Sequence, residues 1–357
     1  MKIYYQYSSA KVLGLKGGDF ITEVGIVTAL SQFADVYYSG TYFDPSKPGF
    51  GLTDYSGSIA SRVTEAYDAY VIRASREAFL AAPSTKPRLW NAAPFDRDCY
   101  RRATAVFCFS QAWKEDLLGP NTYTGISKSQ RVRPKRTVVI HQVVGDAFKP
   151  LQASAHTHRL RKEIGEGFII GFFGCSRKSR YPYGFLRMWP GFVRAHPQAR
   201  LLLAVPQRAP NRKNIPFPSS LPNVTRRAFS HDEVPYALSA CDLMLVGRQQ
   251  QAGEIGGCSK TIEAAACGVP IMLGRHAARV EVLGEDYPFY VPPIGGWNSG
   301  EEGIQQDAAA AREMLEQIIG DDDHRREVAD SLLAKAEWFS VARSGKRLKK
   351  LFRKLVK

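Results

Sequence analysis

Sixteen residues, Cys258-Ser259-Lys260-Thr261-Ile262-Glu263-Ala264-Ala265-Ala266-Cys267-Gly268-Val269-Pro270-Ile271-Met272-Leu273, constrain this chain more than any other stretch. Ser259 has the chemistry of a helix N-cap. Ala264, Ala265 and Ala266 are strong helix formers. Gly268 stands where a helix end favours a residue that tolerates positive φ. The continuous apolar run 269–273 follows, with Pro270 near its start, and reads as a buried strand. A helix, a tight turn and a buried strand in so few residues specify an α/β unit. On that helix Lys260 and Glu263 are three apart and share a face. A cation and a carboxylate near a helix N-terminus suit the two ends of one ligand, a phosphate and a pair of sugar hydroxyls.

The same grammar runs through the chain. Strand-like segments fall at 2–7, 35–38, 69–73, 88–90, 104–109 and 136–141 in the first half. Between the first two lie a glycine loop with Gly17 and Gly18 and a helix over 19–33, and Ser110 caps a helix after 104–109. The second half gives strands at 167–174, 200–205, 223–225 and 242–246 and a helix over 233–241, with long helices at 301–320 and 323–339. A basic amphipathic helix ends the chain. Alternating strands and helices predict parallel sheets covered on both faces. The predicted organisation is an N-terminal Rossmann-like domain at 1–150 and a joint near 149–166. A second Rossmann-like domain follows at 166–335, then a crossing segment with the basic helix at 336–357.

At 357 residues the chain has room for two ordinary domains, and 44% apolar residues support packed cores. No apolar run approaches the ~20 residues of a membrane-spanning helix. Residues 1–7 read as a strand rather than a leader peptide, which predicts a cytoplasmic protein. The six cysteines are scattered without a C-x-x-C pair, so buried free thiols are expected rather than zinc sites or disulfides. The net charge is +15. Eleven Lys or Arg and no acid occupy 177–227, and 343–357 adds eight more basic residues without an acid. Such fields favour anionic partners: phosphates, an anionic membrane surface or nucleic acid.

The segment 258–273 resembles the E-A-x-A-x-G-x-P donor signature of GT-B-fold glycosyltransferases, which use nucleotide sugars. Other pieces resemble the same family in the same order. They are the glycine opening at Gly17 and Gly18, the 104–118 strand and helix, the 138–150 exit and the 169–203 unit. The 223–245 strand–helix–strand and the 337–339 crossing complete the series. The resemblance implies two Rossmann-like domains facing each other across a cleft, with the last helix returning to the first domain. In that family the signature glutamate binds the nucleotide ribose and nearby cations bind the diphosphate. Carried onto this chain, donor binding falls to Gly17, Gly18, Arg177, Lys178, Arg180, Ser259, Lys260, Thr261 and Glu263. The family's Arg after the strand-ending glycine corresponds to Cys175, and its Lys to Arg180. Retaining members often pair two glutamates eight residues apart. Here Ile255 holds that position and Glu254 stands beside it.

Transfer from a nucleotide sugar needs cations or helix N-termini at the leaving diphosphate, and for inversion a base near the acceptor. Asp19 and Glu254 are the candidate catalytic carboxylates. No D-x-D stands at a strand end in the second half, so no metal or other cofactor is expected. The leading function is a glycosyltransferase acting on a cell-envelope or lipid-linked glycan, peripheral at the inner membrane face. The alternatives are glycosylation of a modified base in DNA, supported by a weaker likeness to phage DNA glucosyltransferases, a nucleotide-sugar epimerase, and a non-catalytic polyanion-binding protein.

Overall fold

Short strands form two sheets, and the central strands of the second, Phe168–Phe173 and Leu243–Val246, are continuously apolar. The computed structural model describes residues 1–7, 18–38, 41–42, 69–73, 104–118, 137–174, 182–205, 220–246, 259–292 and 300–355. These form two compact units, one built mainly from Met1–Gly145 with Trp338–Lys357, the other from Asp146–Gly253 with Lys260–Glu337.

The first unit holds β1 (Lys2–Tyr7), β2 (Asp35–Tyr38), β3 (Thr41–Tyr42), β4 (Ala69–Arg73), β5 (Ala105–Cys108) and β6 (Thr137–Val139) in the order β3-β2-β1-β4-β5-β6. All pairings are parallel except β2 with β3. Every residue of β5 is buried, as expected for a strand covered on both faces. Helix α1 (Gly18–Ser31) follows β1, and α2 (Gln111–Leu118) follows β5. The cap predicted at Ser110 is present, its Oγ accepting from the Trp113 N–H at 3.0 Å.

The second unit opens with α3 (Ala155–Ile164), inside the stretch read from sequence as a joint. Ser154 caps it, its Oγ accepting from the Thr157 N–H at 3.1 Å, and Thr157, Leu160 and Ile164 form its buried stripe. The strands are β7 (Phe168–Phe173), β8 (Ala199–Ala204), β9 (Val224–Arg227), β10 (Leu243–Val246), β11 (Ile271–Gly274) and β12 (Tyr290–Val291). They run in the order β12-β11-β10-β7-β8-β9, and all pairings are parallel. Every residue of β7, β10 and β11 is buried. The helices are α4 (Tyr183–Ala195), α5 (Val234–Ser239), α6 (Ser259–Ala266), α7 (Ala277–Leu283), α8 (Gly300–Gly320) and α9 (Asp322–Glu337). Gly184 lets α4 lie against α8, since a Cβ there would meet Asp307 Cβ at 2.3 Å.

One ion pair fastens the second unit's first helix to its sheet. Arg161 on α3 donates from Nη1 to Asp242 Oδ1 and from Nη2 to Oδ2, both at 3.1 Å. It also donates to the carbonyls of Ala240 and Gly167. Asp242 Oδ2 accepts from the Ile169 N–H at 2.7 Å, and the Asp242 N–H donates back to Ile169 O at 2.8 Å.

The chain rejoins the first unit just after α9. The sequence reading carried a helix through Phe339, but α9 ends at Glu337 and a turn follows. The Val144 N–H donates to Phe339 O at 2.9 Å, and Val144 bridges Ser340. Helix α10 (Val341–Leu355) then packs on α1. Its buried residues Val341, Ser344, Gly345, Leu348 and Phe352 follow helical spacing. Phe352 lies 5.9 Å from Phe33 and 6.3 Å from Phe107 between ring centroids. The apolar face of this basic amphipathic helix is thus occupied within its own unit, leaving only its cationic face to a partner. No helix among the described residues is long and apolar enough to cross a membrane.

Candidate functional site

In the second sheet the chain runs outward from β7 through β8 to β9, then crosses to β10 on the other side of β7 and runs outward again. The order therefore reverses between β7 and β10. Open α/β sheets bind ligands outside the carboxyl ends of the strands at such a reversal. The chain leaves β7 at Gly174 and β10 at Val246. Residues 175–181, with Arg177, Lys178 and Arg180, and residues 247–258, with Glu254, follow these ends and lie outside the described residues. Helix α6 begins directly after the second segment.

Helix α6 is nearly all buried, from Thr261 through Ala266. Its small side chains allow that depth. Glu263 is 2% exposed, so its carboxylate is no solvated surface charge. Ser259 and Lys260 are half-buried in the first turn. At 100° per residue Ser259, Lys260 and Glu263 share one face, and Thr261 points about 160° away from Glu263. The helix thus brings together three of its four predicted donor residues. Thr261 is 2% exposed, and its Oγ1 has no hydrogen-bond partner among the described residues.

The end of α6 is built as the sequence implied. Gly268 has φ +68°, and the Val269 N–H donates to Ala264 O at 3.0 Å. Burial pushes the Cys267 thiol up to about 12; a hydrogen bond with Ser239 opposes the shift, and the Glu263 carboxylate one turn earlier adds to it. Cys108 and Cys241 are likewise buried free thiols.

Two polar residues missed from sequence gather at the carboxyl end of β11, beside β10. Arg279 is 2% exposed and donates from Nη1 to Gly274 O at 3.0 Å; His276 is 6% exposed. A Cβ on Gly274 would lie 3.3 Å from His276 Nε2 and 3.6 Å from Arg279 Nη1, so the glycine makes room for both. The signal available in sequence was Gly274-Arg275-His276 closing a buried strand. Burial raises the nearby Tyr290 hydroxyl to about 12, against the pull of Arg275 and Arg279.

The first sheet has the same reversal, between β1 and β4. Gly17 lies outside the described residues. Gly18 opens α1 and Asp19 stands in its first turn, where the positive end of the helix dipole favours an acid.

Two mainly parallel six-stranded sheets, each reversed at its centre, with a last helix returned to the first unit, define the GT-B fold of glycosyltransferases. No protein-family model and no curated protein matches the chain. Solved structures match it along its length. Sucrose-phosphate synthase from Thermosynechococcus elongatus is 14% identical with a TM-score of 0.66, over 99% of this chain and 98% of that one. Anabaena HepE in complex with UDP-glucose is 16% identical with a TM-score of 0.65, over 99% and 100%. A glycosyltransferase from Rickettsia africae is 13% identical with a TM-score of 0.62, over 99% and 98%. The two α/β units and the return of the last helix to the first, implied by the sequence resemblance, are observed.

Proposed function

We propose that this protein is a glycosyltransferase that moves a sugar from a nucleotide-sugar donor, bound by the second unit, to a cell-envelope or lipid-linked acceptor. One observation carries the reading: Glu263, buried on α6, the helix that follows β10 in the chain, shares a helix face with Lys260. A carboxylate held there accepts from the two ribose hydroxyls, and the cation beside it meets the diphosphate. Arg177, Lys178 and Arg180 add charge from the segment after β7, and the α6 N-terminus adds its dipole. HepE, a structure of the same fold, was solved with UDP-glucose. A uridine diphosphate sugar is therefore the first donor to try.

The transfer breaks the bond between the sugar anomeric carbon and the diphosphate oxygen and forms one to the acceptor oxygen. The acceptor proton passes to a carboxylate, Asp19 or Glu254, or to the departing phosphate. Cations of the protein, with no bound metal, stabilise the charge that develops on the diphosphate.

A thermal-shift and calorimetric screen of UDP-, GDP- and ADP-sugars tests this. Hydrogen bonds to a charged group contribute about 1.5–3 kcal/mol, so Glu263→Gln should weaken donor binding roughly 10- to 150-fold. Lys260→Ala should weaken diphosphate-bearing ligands and spare the free nucleoside. Unchanged donor affinity in both variants would sink the assignment of this site.

A further inference from the structure

The structure assigns an anionic phospholipid surface to the outward face of α10, with the exposed Trp338 as its interfacial anchor. Arg343, Lys346, Lys349, Lys350, Arg353 and Lys354 are all exposed. At 100° per residue they cover one arc of about 140°, opposite the buried stripe that packs on α1. From Trp338 to the last residue there are eight Lys or Arg and no Asp or Glu. Lys346, Lys349, Lys350, Arg353 and Lys354 form no ion pair among the described residues.

Trp338 is 55% exposed, a large apolar surface beside this arc. It is held rather than loose. The Arg347 guanidinium stacks 4.0 Å from its ring centroid and donates to its carbonyl at 2.6 Å, and Arg347 Nη2 donates to Ser344 Oγ at 3.1 Å. A fixed indole with one face covered by Arg347 and the rest open suits the headgroup region of a bilayer, where tryptophan is favoured. It suits base stacking less well.

The remaining choices also favour a membrane. Four of the six exposed cations are lysines, compact charges that match a fluid, smeared negative surface. The exposed part of the helix carries no Asn or Gln to read base edges. Because the apolar stripe is buried, attachment is by charge and one aromatic, hence reversible and salt-sensitive. This inference stands independently of the donor site.

The test is co-sedimentation of the full chain with phosphatidylcholine vesicles, alone and with about 30 mol% phosphatidylglycerol at about 0.1 M salt. Binding is expected to the anionic vesicles only. The triple variant Lys346→Ala, Lys350→Ala, Arg353→Ala should lower the partition coefficient about 100-fold, roughly fivefold per charge. The same three positions as Lys346→Arg, Lys350→Arg and Arg353→Lys should bind like the original. Independently of those variants, anionic vesicles should blue-shift the tryptophan emission, and Trp338→Phe should abolish the shift. Equal binding to neutral vesicles overturns the inference. So does a triple variant that binds unchanged, or duplex DNA that strips the protein from vesicles at equal charge. Donor affinity in the triple variant should match the original chain, which separates failure here from failure of the donor site.

Discussion

Replacing Asp242 tests whether a single carboxylate fastens α3 to the sheet behind the candidate donor site. The substitutions Asp242→Ala and Asp242→Asn remove different things. Alanine removes the acceptor for the Ile169 N–H, which lies in a fully buried residue. Leaving that donor unsatisfied costs about 1–3 kcal/mol. Alanine also removes both bonds to Arg161, whose side chain is 32% exposed against 30% for Asp242. At that exposure solvent screening holds the ion pair to about 0.5–1 kcal/mol. Asp242→Ala should therefore cost about 2–4 kcal/mol in all. Asparagine keeps an oxygen for the Ile169 N–H and one neutral bond to the guanidinium, so its cost should stay near 1 kcal/mol or below. The assay is urea denaturation followed by circular dichroism and by fluorescence, with Trp189, fully buried in the second unit, as reporter. A double-mutant cycle with Arg161→Ala should return a coupling of about 0.5–1 kcal/mol. Equal losses for the alanine and asparagine variants would refute the reasoning, because they would show that the amide bond to Ile169 contributes nothing.

Two further outcomes follow from the same geometry. Burial raises the Cys108 and Cys267 thiols from 9.0 to about 12, and the Cys241 thiol rises as well. The unfolded chain loses these protons near pH 9 while the folded chain keeps them. Their contribution is thus fully present below about pH 9 and is lost as pH rises toward 12. The melting temperature should fall as pH rises from about 9 toward 12, more steeply than in a Cys108→Ala, Cys241→Ala, Cys267→Ala variant. Gly268→Ala forces a side chain into φ +68° and places its Cβ 3.3 Å from Leu333 Cδ1. It should cost about 1–2 kcal/mol. Gly191→Ala, inside α4 with only the tip of Arg312 at 3.8 Å, should be neutral or stabilising by up to about 1 kcal/mol. Equal melting temperatures for these two glycine variants would show that the backbone at Gly268 is not strained.

Local chemistry was the most legible part of the chain. Ser110 and Gly268 carry their instructions in one residue each: a hydroxyl that satisfies an orphan N–H, and a missing Cβ. Strands such as 168–173 were legible because six consecutive buried apolar residues admit few other readings. The helix at 155–164 was not, because Thr157, Leu160 and Ile164 stand among charged neighbours and its cap, Ser154, lies in a polar run. Sheet order was also out of reach. Alternation predicts parallel strands, but β10 lies beside β7 only because the chain crosses back after β9, far along the sequence from β7. For the site, the helix–turn–strand unit and the shared face of Lys260 and Glu263 were readable, whereas the depth of Glu263 was not. A glutamate among alanines looks alike on paper whether that helix is covered or bare. Arg161 and Asp242 stand 81 residues apart in sequence and meet only in the fold.

The return of the last helix to α1 has a consequence for how such a chain is made. The surface that α10 covers, including Ala29, Phe33 and Phe107, belongs to a unit whose first 145 residues leave the ribosome long before α10 exists. At ~5–20 residues per second, the roughly 190 residues of 146–337 take roughly 10–40 s to appear. Through that interval the first unit is a sheet with an open wound, and the second unit can finish folding ahead of it. Order of synthesis and order of completion are therefore reversed. A chain stopped before residue 341 would carry a complete second unit and a first unit with bare apolar surface, a ready target for chaperones and proteases.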